Sequence, residues 1–394
     1  MSRAPFAPAL LVLLSFVVLA LGIAYFYPFP SLFDELQHYS AVRAQFEHPD
    51  LAADPRDYGV VRPDAVRSWS GQRNYINHPA LYYLLLAPLL ALTDSPFVLR
   101  LANVALASLA LVLMLWAGWR RLPSDRVRLA FAVIAASFPK AVLLAGMINN
   151  DNLAALAGAI VFAGLVAARR GAWLVALGLA LAGWSKLTAL VALGAVVAAF
   201  VLLGPRRAWT RPASALIAAG GALGALAYAL MWWRTGALVP VNAAVFTTPV
   251  EARLVLTPLG FAGRFLSDFA LKWPAAEGSL PVLAVGALLL AQLALAGVGA
   301  RIAPGERRLI LAFLAGTAVL FATHLAFGWR AYLTMGDLTI AQTRYYAVLW
   351  PGLALGGALA LTAPRVPRWA TVVGLGAYLL PSVPGGLMLA LLGV

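Results

Sequence analysis

The chain has 394 residues, of which 62% are hydrophobic and only 11% are charged. So few charges cannot cover the apolar surface of a soluble protein of this size, and that class is excluded. Cysteine is absent, which also excludes disulfides, thiolate catalysis and cysteine-ligated metals. The formal net charge of +14 comes largely from arginines in loops between apolar runs, as in membrane proteins, and we expect no nucleic-acid partner.

Apolar runs of about 20 residues, the length a helix needs to cross a bilayer, recur along the chain. We interpret the first run as a retained span because its apolar core is longer than that of a signal peptide. The shorter run 78–92 predicts a helix lying in the membrane interface. The chain is therefore expected to be an all-α polytopic membrane protein forming a single transmembrane domain over 1–394. Its eleven predicted spans lie near 6–27, 98–119, 129–147, 152–168, 172–184, 188–203, 212–233, 280–299, 309–327, 343–363 and 369–392.

The arginine clusters predict the orientation of these spans. With 78–92 outside the bilayer core, the clusters fall on the same side as the N-terminus, and the positive-inside rule makes that side cytoplasmic. Thirteen of the 15 acidic residues and all three lysines then lie on the outer side, where 28–97 and 234–279 form large loops. The short cytoplasmic loops carry no nucleotide-binding motif. We expect a bacterial inner-membrane protein whose polar chemistry is at the periplasmic face.

The stretch SLFDELQHYS (31–40) follows the first span and carries two adjacent carboxylates and a histidine. On a helix, Asp34 and His38 share a face. A carboxylate next to Glu35 is expected to have a raised pKa and to serve as a general base. Alternatively, Asp34, Glu35 and His38 could hold a divalent metal such as Mg²⁺ or Mn²⁺. The structural alternative is a solvated helix end.

Three cationic side chains are predicted near the outer ends of spans. Lys140 lies in an apolar span, where its charge requires a partner or a polar cavity. Lys186 lies at an outer turn, where an ammonium suits an anionic ligand. Arg344 offers a guanidinium to phosphate. The structural alternatives are a snorkelling lysine and an interface anchor.

Five uncharged or acidic side chains near the same ends are candidate substrate contacts. Asn149 and Asp151 lie in MINNDN, which could equally be a helix-capping turn. His78 and the tyrosines could equally belong to an aromatic belt at the headgroups. With His38, the predicted substrate contacts are His78, Tyr82, Asn149, Asp151 and Tyr345.

The order of the motifs FDELQHYS, NHPALYYLLLAPLLAL, MINNDN, LALAGWSKLTAL and QTRYYAVLWPG resembles the GT-C superfamily of membrane glycosyltransferases, in particular members related to protein O-mannosyltransferases and the aminoarabinose transferase. The resemblance implies a polyprenyl-phosphate sugar donor and interfacial helices in the first outer loop. It assigns the catalytic base to Asp34, with Glu35 as second choice, and donor-phosphate binding to Arg344. The chain departs from the pattern at Thr343, where glycine is expected, and it stops without the large outer domain of many relatives.

These observations together predict a membrane glycosyltransferase. It would move a sugar from a polyprenyl-phosphate donor to a lipid, glycan or protein acceptor on the outer side. Lys140, Lys186 and Arg344 would hold the donor phosphate. The alternative is an ion-coupled transporter or lipid-carrier flippase, which should carry its ionisable residues near the middle of its spans.

Overall fold

The computed structural model describes residues 7–31, 34–119, 121–138, 140–204, 209–240, 255–271, 284–336 and 342–379, and these are mostly helical. The predicted fold class, a helical polytopic membrane protein, is confirmed. The helices are α1 (Ala7–Phe26), α2 (Glu35–Glu47), α3 (Leu81–Leu86), α4 (Pro96–Trp119), α5 (Asp125–Ala136), α6 (Ala141–Ala145), α7 (Asp151–Val166), α8 (Ala172–Ser185), α9 (Leu187–Leu202), α10 (Arg211–Thr235), α11 (Pro258–Leu271), α12 (Ala284–Ile302), α13 (Arg307–Met335), α14 (Trp350–Leu361) and α15 (Arg368–Leu379).

Among the described residues, four helices are long and apolar enough to cross a bilayer: α1, α4, α10 and α13. Shorter apolar helices, including α7, α8 and α9, pack between them. Two predicted spans are interrupted. The run 129–147 divides into α5 and the short α6, because the proline at position 139 has no N–H for a helical hydrogen bond. The run 343–363 begins as a 3₁₀ turn, Thr343–Leu349, and continues as α14.

The predicted first outer loop, 28–97, contains helices where interfacial helices were expected, and one hairpin that the sequence did not predict. Helix α2 follows the loop entrance, and α3 continues into a 3₁₀ turn, Ala87–Ala91, as expected for 78–92. Between them, strands β1 (Gly59–Arg62) and β2 (Ala65–Arg73) pair antiparallel, with Val61 opposite Trp69. In the second outer loop, 234–279, the structure adds α11; residues 241–254 and 272–279 of that loop lie outside the described residues.

Helix α7 is the packing centre on which the site depends. Nearly every residue along it is buried, and it contacts α4, α8 and the 3₁₀ turn Thr343–Leu349. At Gly158 a Cβ atom would come within 2.1 Å of the carbonyl oxygen of Val348. A residue without a side chain is therefore required for this turn to lie directly on α7. The close approach fixes the turn that carries Arg344 next to the helix that begins at Asp151.

Candidate active site

Asp34 stands at the start of α2 in a left-handed backbone conformation, with φ 62° and ψ 29°. Aspartate tolerates this region better than most residues, but it is uncommon outside glycine. Lys140, which precedes α6, is also left-handed, with φ 73°. Such outliers persist where the surrounding structure holds them, and they concentrate at functional sites. Both of these sequence-predicted residues are therefore held in unusual backbone geometry.

The Asp34 carboxylate is bound by two side chains from distant parts of the chain. Arg344 Nη2 donates to Asp34 Oδ2 at 2.7 Å, and the Tyr75 hydroxyl donates to Oδ1. The Asp34 side chain remains 31% exposed, so a ligand can reach it. Burial acts to raise the pKa of Asp34, but the Arg344 guanidinium and the Tyr75 hydrogen bond hold it at about 2. The expectation of a raised pKa was wrong because a cation faces this carboxylate.

Arg344 extends the contact into a row of four alternating charges. Its Nε lies 3.4 Å from Asp151 Oδ2, and Lys186 Nζ donates to Asp151 Oδ1 at 2.7 Å. The Lys186 ammonium also lies 4.0 Å from the centre of the Tyr345 ring, a cation–π contact. The side chains of Arg344, Asp151 and Lys186 are 7% exposed or less. We call the row Asp34, Arg344, Asp151 and Lys186 the charge cluster.

Glu35 points away from the charge cluster, into a buried clamp with Arg100. Arg100 Nε and Nη2 each donate to one oxygen of the Glu35 carboxylate at 2.7 Å. The Arg100 guanidinium also donates to three backbone carbonyls, those of Ala24, Tyr27 and Pro28. The Glu35 carboxylate also accepts from two backbone N–H groups, those of Ser31 and Ile148. Every oxygen of this fully buried carboxylate is engaged. This geometry favours a positioning role for Glu35 rather than the predicted second-choice base.

Arg100 was missed by sequence reasoning although a signal was present. It lies inside a predicted span, 98–119, where an arginine is costly unless it is paired. The clamp ties the start of α2 to α4 and to the segment before α7. Tyr75, in the polar stretch after β2, carried no such signal.

His38 lies one turn along α2 from Asp34, but its ring faces the tyrosines. His38 Nδ1 is 3.1 Å from the Tyr83 hydroxyl, and its ring stacks with His78 at 6.1 Å between centroids. Burial lowers the pKa of His38 to about 3 and takes the pKa of His78 well below its ordinary value. Both imidazoles are therefore neutral at pH 7. Of the two, His78 is the one that lines a pocket.

Tyr82 and Asn149 join an interior network centred on Asn103. The Tyr82 hydroxyl donates to Asn103 Oδ1 at 2.8 Å, and Asn152 Nδ2 donates to the same oxygen at 2.9 Å. The Asn149 side chain accepts from the Asp151 N–H at 2.8 Å, as in an Asx turn. Tyr82, Asn103 and Asn149 are fully buried. This packing favours a structural role for the two predicted substrate contacts, and it separates them from Asp34.

The predicted metal ligands do not converge on a common point. Asp34 faces Arg344, Glu35 faces Arg100 and His38 faces Tyr83. In the part of the chain that the structure describes, no group of three or more His, Asp or Glu side chains is arranged to hold a metal. In this arrangement these residues do not fit a divalent cation.

Two pockets adjoin the charge cluster. One, of about 520 Å³, is apolar except at Asp151 and Asn152, and Phe16, Met114 and Trp350 are among its walls. The other, of about 480 Å³, has Lys186 and Tyr345 in its wall; its further lining residues are Asn77, His78, Leu187, Thr188, Tyr228, Val239 and Phe327. We call these the apolar pocket and the hydroxyl pocket. The charge cluster therefore lies between two cavities, with Asp151 in the wall of one and Lys186 in the wall of the other.

The fold is similar to that of a solved protein. No family model and no curated protein matches the chain. Its structure is similar to that of ArnT from Cupriavidus metallidurans bound to undecaprenyl phosphate, with a TM-score of 0.56, 15% identity and 94% of this chain covered. The apo structure of the same protein gives a TM-score of 0.54 at 14% identity over 93% of this chain. The chain spans 63% and 62% of those two structures. The GT-C resemblance indicated by the ordered motifs is thus confirmed at the level of the fold.

Proposed function

We propose that the protein is a membrane glycosyltransferase that moves a sugar from a polyprenyl-phosphate donor to an acceptor hydroxyl at the periplasmic face. The observation that carries the proposal is the contact between Asp34 and Arg344 at 2.7 Å. It puts a partly exposed carboxylate, which can take a proton, beside a guanidinium, which binds phosphate oxygens well. The GT-C fold, shared with a structure that holds undecaprenyl phosphate, supports the same assignment.

The reaction needs one bond to form and one to break. The acceptor oxygen bonds to the anomeric carbon of the sugar, and the bond from that carbon to the phosphate oxygen breaks. The acceptor proton goes to the Asp34 carboxylate. The departing polyprenyl phosphate keeps the electron pair, and Arg344 stabilises the negative charge that develops on it. No metal or nucleotide takes part in this scheme.

The charges of the site match such a donor. The two carboxylates and two cations of the charge cluster cancel. A polyprenyl-phosphate sugar is a phosphodiester with a single negative charge. Such a phosphate can take the place of one carboxylate on the Arg344 guanidinium, because guanidinium groups bind carboxylates and phosphates alike.

The apolar pocket favours a lipid-linked substrate over a water-soluble one. Residues of α1, α4, α5 and α7 line this pocket, and Asp151 is one of them. The lining offers an isoprenoid chain apolar contacts next to the charges that would hold its phosphate.

The test is transfer by the purified full chain in lipid vesicles. Polyprenyl-phosphate sugars and the corresponding nucleotide sugars are supplied separately, with lipid, glycan and peptide acceptors. We expect release of polyprenyl phosphate and a glycosylated acceptor with the lipid donors alone. Turnover of nucleotide sugars, or none with any lipid donor while the protein is folded, would contradict the proposal.

A further inference from the structure

Two residues that line the hydroxyl pocket, Tyr228 and Thr188, carry buried hydroxyl groups to which no described residue is hydrogen-bonded. Both hydroxyls are covered by protein. Tyr228 is 4% exposed, and its ring packs in an apolar cluster with Trp184, Ala227 and Met231. Buried hydroxyls are nearly always hydrogen-bonded, so two unsatisfied ones in one pocket call for a ligand.

The pocket lies beside the position proposed for the donor phosphate. Lys186 and Tyr345 belong to its wall, and Lys186 is also the last member of the charge cluster. The sugar of the donor is bonded directly to a phosphate oxygen. A phosphate held by the charge cluster would therefore place the sugar at the hydroxyl pocket.

Its chemistry suits a sugar ring. Asn77 and His78 add polar groups to the two hydroxyls, while Phe327 and Val239 add apolar surface for the C–H faces of a ring. The one charged side chain among the described lining residues is Lys186, whose ammonium is already paired with Asp151. An amino sugar would place a second ammonium near Lys186, and those lining residues offer it no carboxylate.

We infer that the hydroxyl pocket holds the glycosyl group of the donor, that Tyr228 and Thr188 bind its hydroxyls, and that the sugar is uncharged. This inference rests on the proposed function, whose donor it specifies. Tyr228 and Thr188 are then specificity-determining residues.

The test compares the binding of polyprenyl phosphate with the binding of its sugar conjugates. Dissociation constants of polyprenyl phosphate and of its neutral hexose conjugates (glucose, mannose and galactose, each separately) are measured for the full chain in nanodiscs. Tyr228→Phe and Thr188→Val each remove one hydroxyl with little change in volume. We expect each to weaken binding of the preferred hexose conjugate about fivefold, and the double variant about 25-fold, with polyprenyl phosphate unaffected.

Two controls keep the result specific. Ser108→Ala removes another buried hydroxyl without a partner, in α4 and outside the pocket, and should change neither constant. A conjugate whose sugar carries a free amine should bind wild type at least about tenfold more weakly than the preferred hexose conjugate.

Three results would overturn the inference. The Tyr228 and Thr188 variants could lose the same affinity for polyprenyl phosphate and for the hexose conjugate, or lose affinity for neither. The wild type could also bind the amino-sugar conjugate more tightly than the hexose conjugates. Failure of the proposed function is recognised separately: in that case the wild type binds the conjugates but transfers nothing. Thermal unfolding of each variant identifies any that is misfolded.

Discussion

Asp34 and Arg344 are 310 residues apart in the chain, yet Asp34 Oδ2 and Arg344 Nη2 lie 2.7 Å apart. The contact joins the first outer loop to the 3₁₀ turn that precedes α14. It also sets the order of events that we expect. A donor phosphate must compete with Asp34 for Arg344, and a carboxylate that shares its guanidinium with a phosphate becomes a stronger base. Binding of the donor should therefore make Asp34 a stronger base before the acceptor gives up its proton.

Removing the Arg344 charge should move the acid limb of the pH profile of kcat/KM to higher pH. In the free protein Arg344 holds the pKa of Asp34 at about 2 against the effect of burial, so the carboxylate stays ionised far into acid. In Arg344→Gln the pKa rises to at least its ordinary value of about 3.9. Initial rates at pH 3 to 8 report the limb, because kcat/KM follows the free enzyme.

Tyr75→Phe is the milder companion variant, since it removes one hydrogen bond and no charge. Its limb should move in the same direction by a smaller amount. Arg62→Gln, which breaks an exposed ion pair with Asp64, should leave the profile unchanged. A limb that stays in place or moves to lower pH in Arg344→Gln would contradict the account.

Breaking the clamp between Glu35 and Arg100 should destabilise the fold strongly. Glu35→Ala or Arg100→Ala leaves one buried charge without its partner, which costs about 3–5 kcal/mol of unfolding free energy. The double variant should lose less than the sum of the two. Glu47→Ala is the matched control: it breaks the more exposed Arg43–Glu47 pair and should cost at most about 1 kcal/mol. Unfolding in detergent measures all four, and simple additivity would argue against a clamp.

Adding a methyl group at Gly158 should displace the turn that carries Arg344. The new Cβ would meet the Val348 carbonyl oxygen at 2.1 Å, so Gly158→Ala must push the turn away from α7. We expect a loss of about 1–3 kcal/mol in stability together with lower activity. Gly194→Ala in α9 is the control, because its Cβ has nothing within 4 Å and should be neutral or stabilising. Unchanged melting temperature and activity in Gly158→Ala would show that this contact does not position the turn.

The orientation of the chain can be tested directly because it has no cysteine of its own. Gln72→Cys in β2 should react with a membrane-impermeant maleimide added to spheroplasts. Gly305→Cys, between α12 and α13, should react only after the membrane is opened. Both positions are exposed, so reaction with the maleimide depends only on the side of the membrane on which each residue lies. The reverse pattern would place the charge cluster on the cytoplasmic side.

The fold could be predicted because its signals are local. Apolar length identifies helices that can cross a bilayer, and the order of short motifs indicated the GT-C architecture. The hairpin of β1 and β2 was missed because two short, largely polar strands leave little periodicity in a sequence. The interruption before Lys140 was missed because a proline within an apolar run was given too little weight.

The residue types of the candidate site could be predicted from the sequence, but the ion pairs between its side chains could not. Asp34 and Glu35 are neighbours with the same chemistry, and only their opposite environments distinguish them: Arg344 for one and Arg100 for the other. Those partners depend on how α4, α7 and the 3₁₀ turn pack together, which no local pattern encodes. For the same reason the expected rise in the pKa of Asp34 was wrong, since the Arg344 guanidinium and the Tyr75 hydroxyl lower it.

The central claim is that Asp34 takes the proton of the acceptor, and turnover by Asp34→Asn at saturating donor tests it most directly. The amide is nearly isosteric but is not a base, so we predict a loss of transfer of at least about 100-fold, with donor binding retained. Asp64→Asn, in an exposed pair of the same loop, should transfer at the wild-type rate. Transfer by Asp34→Asn at a rate close to that of the wild type would contradict the account.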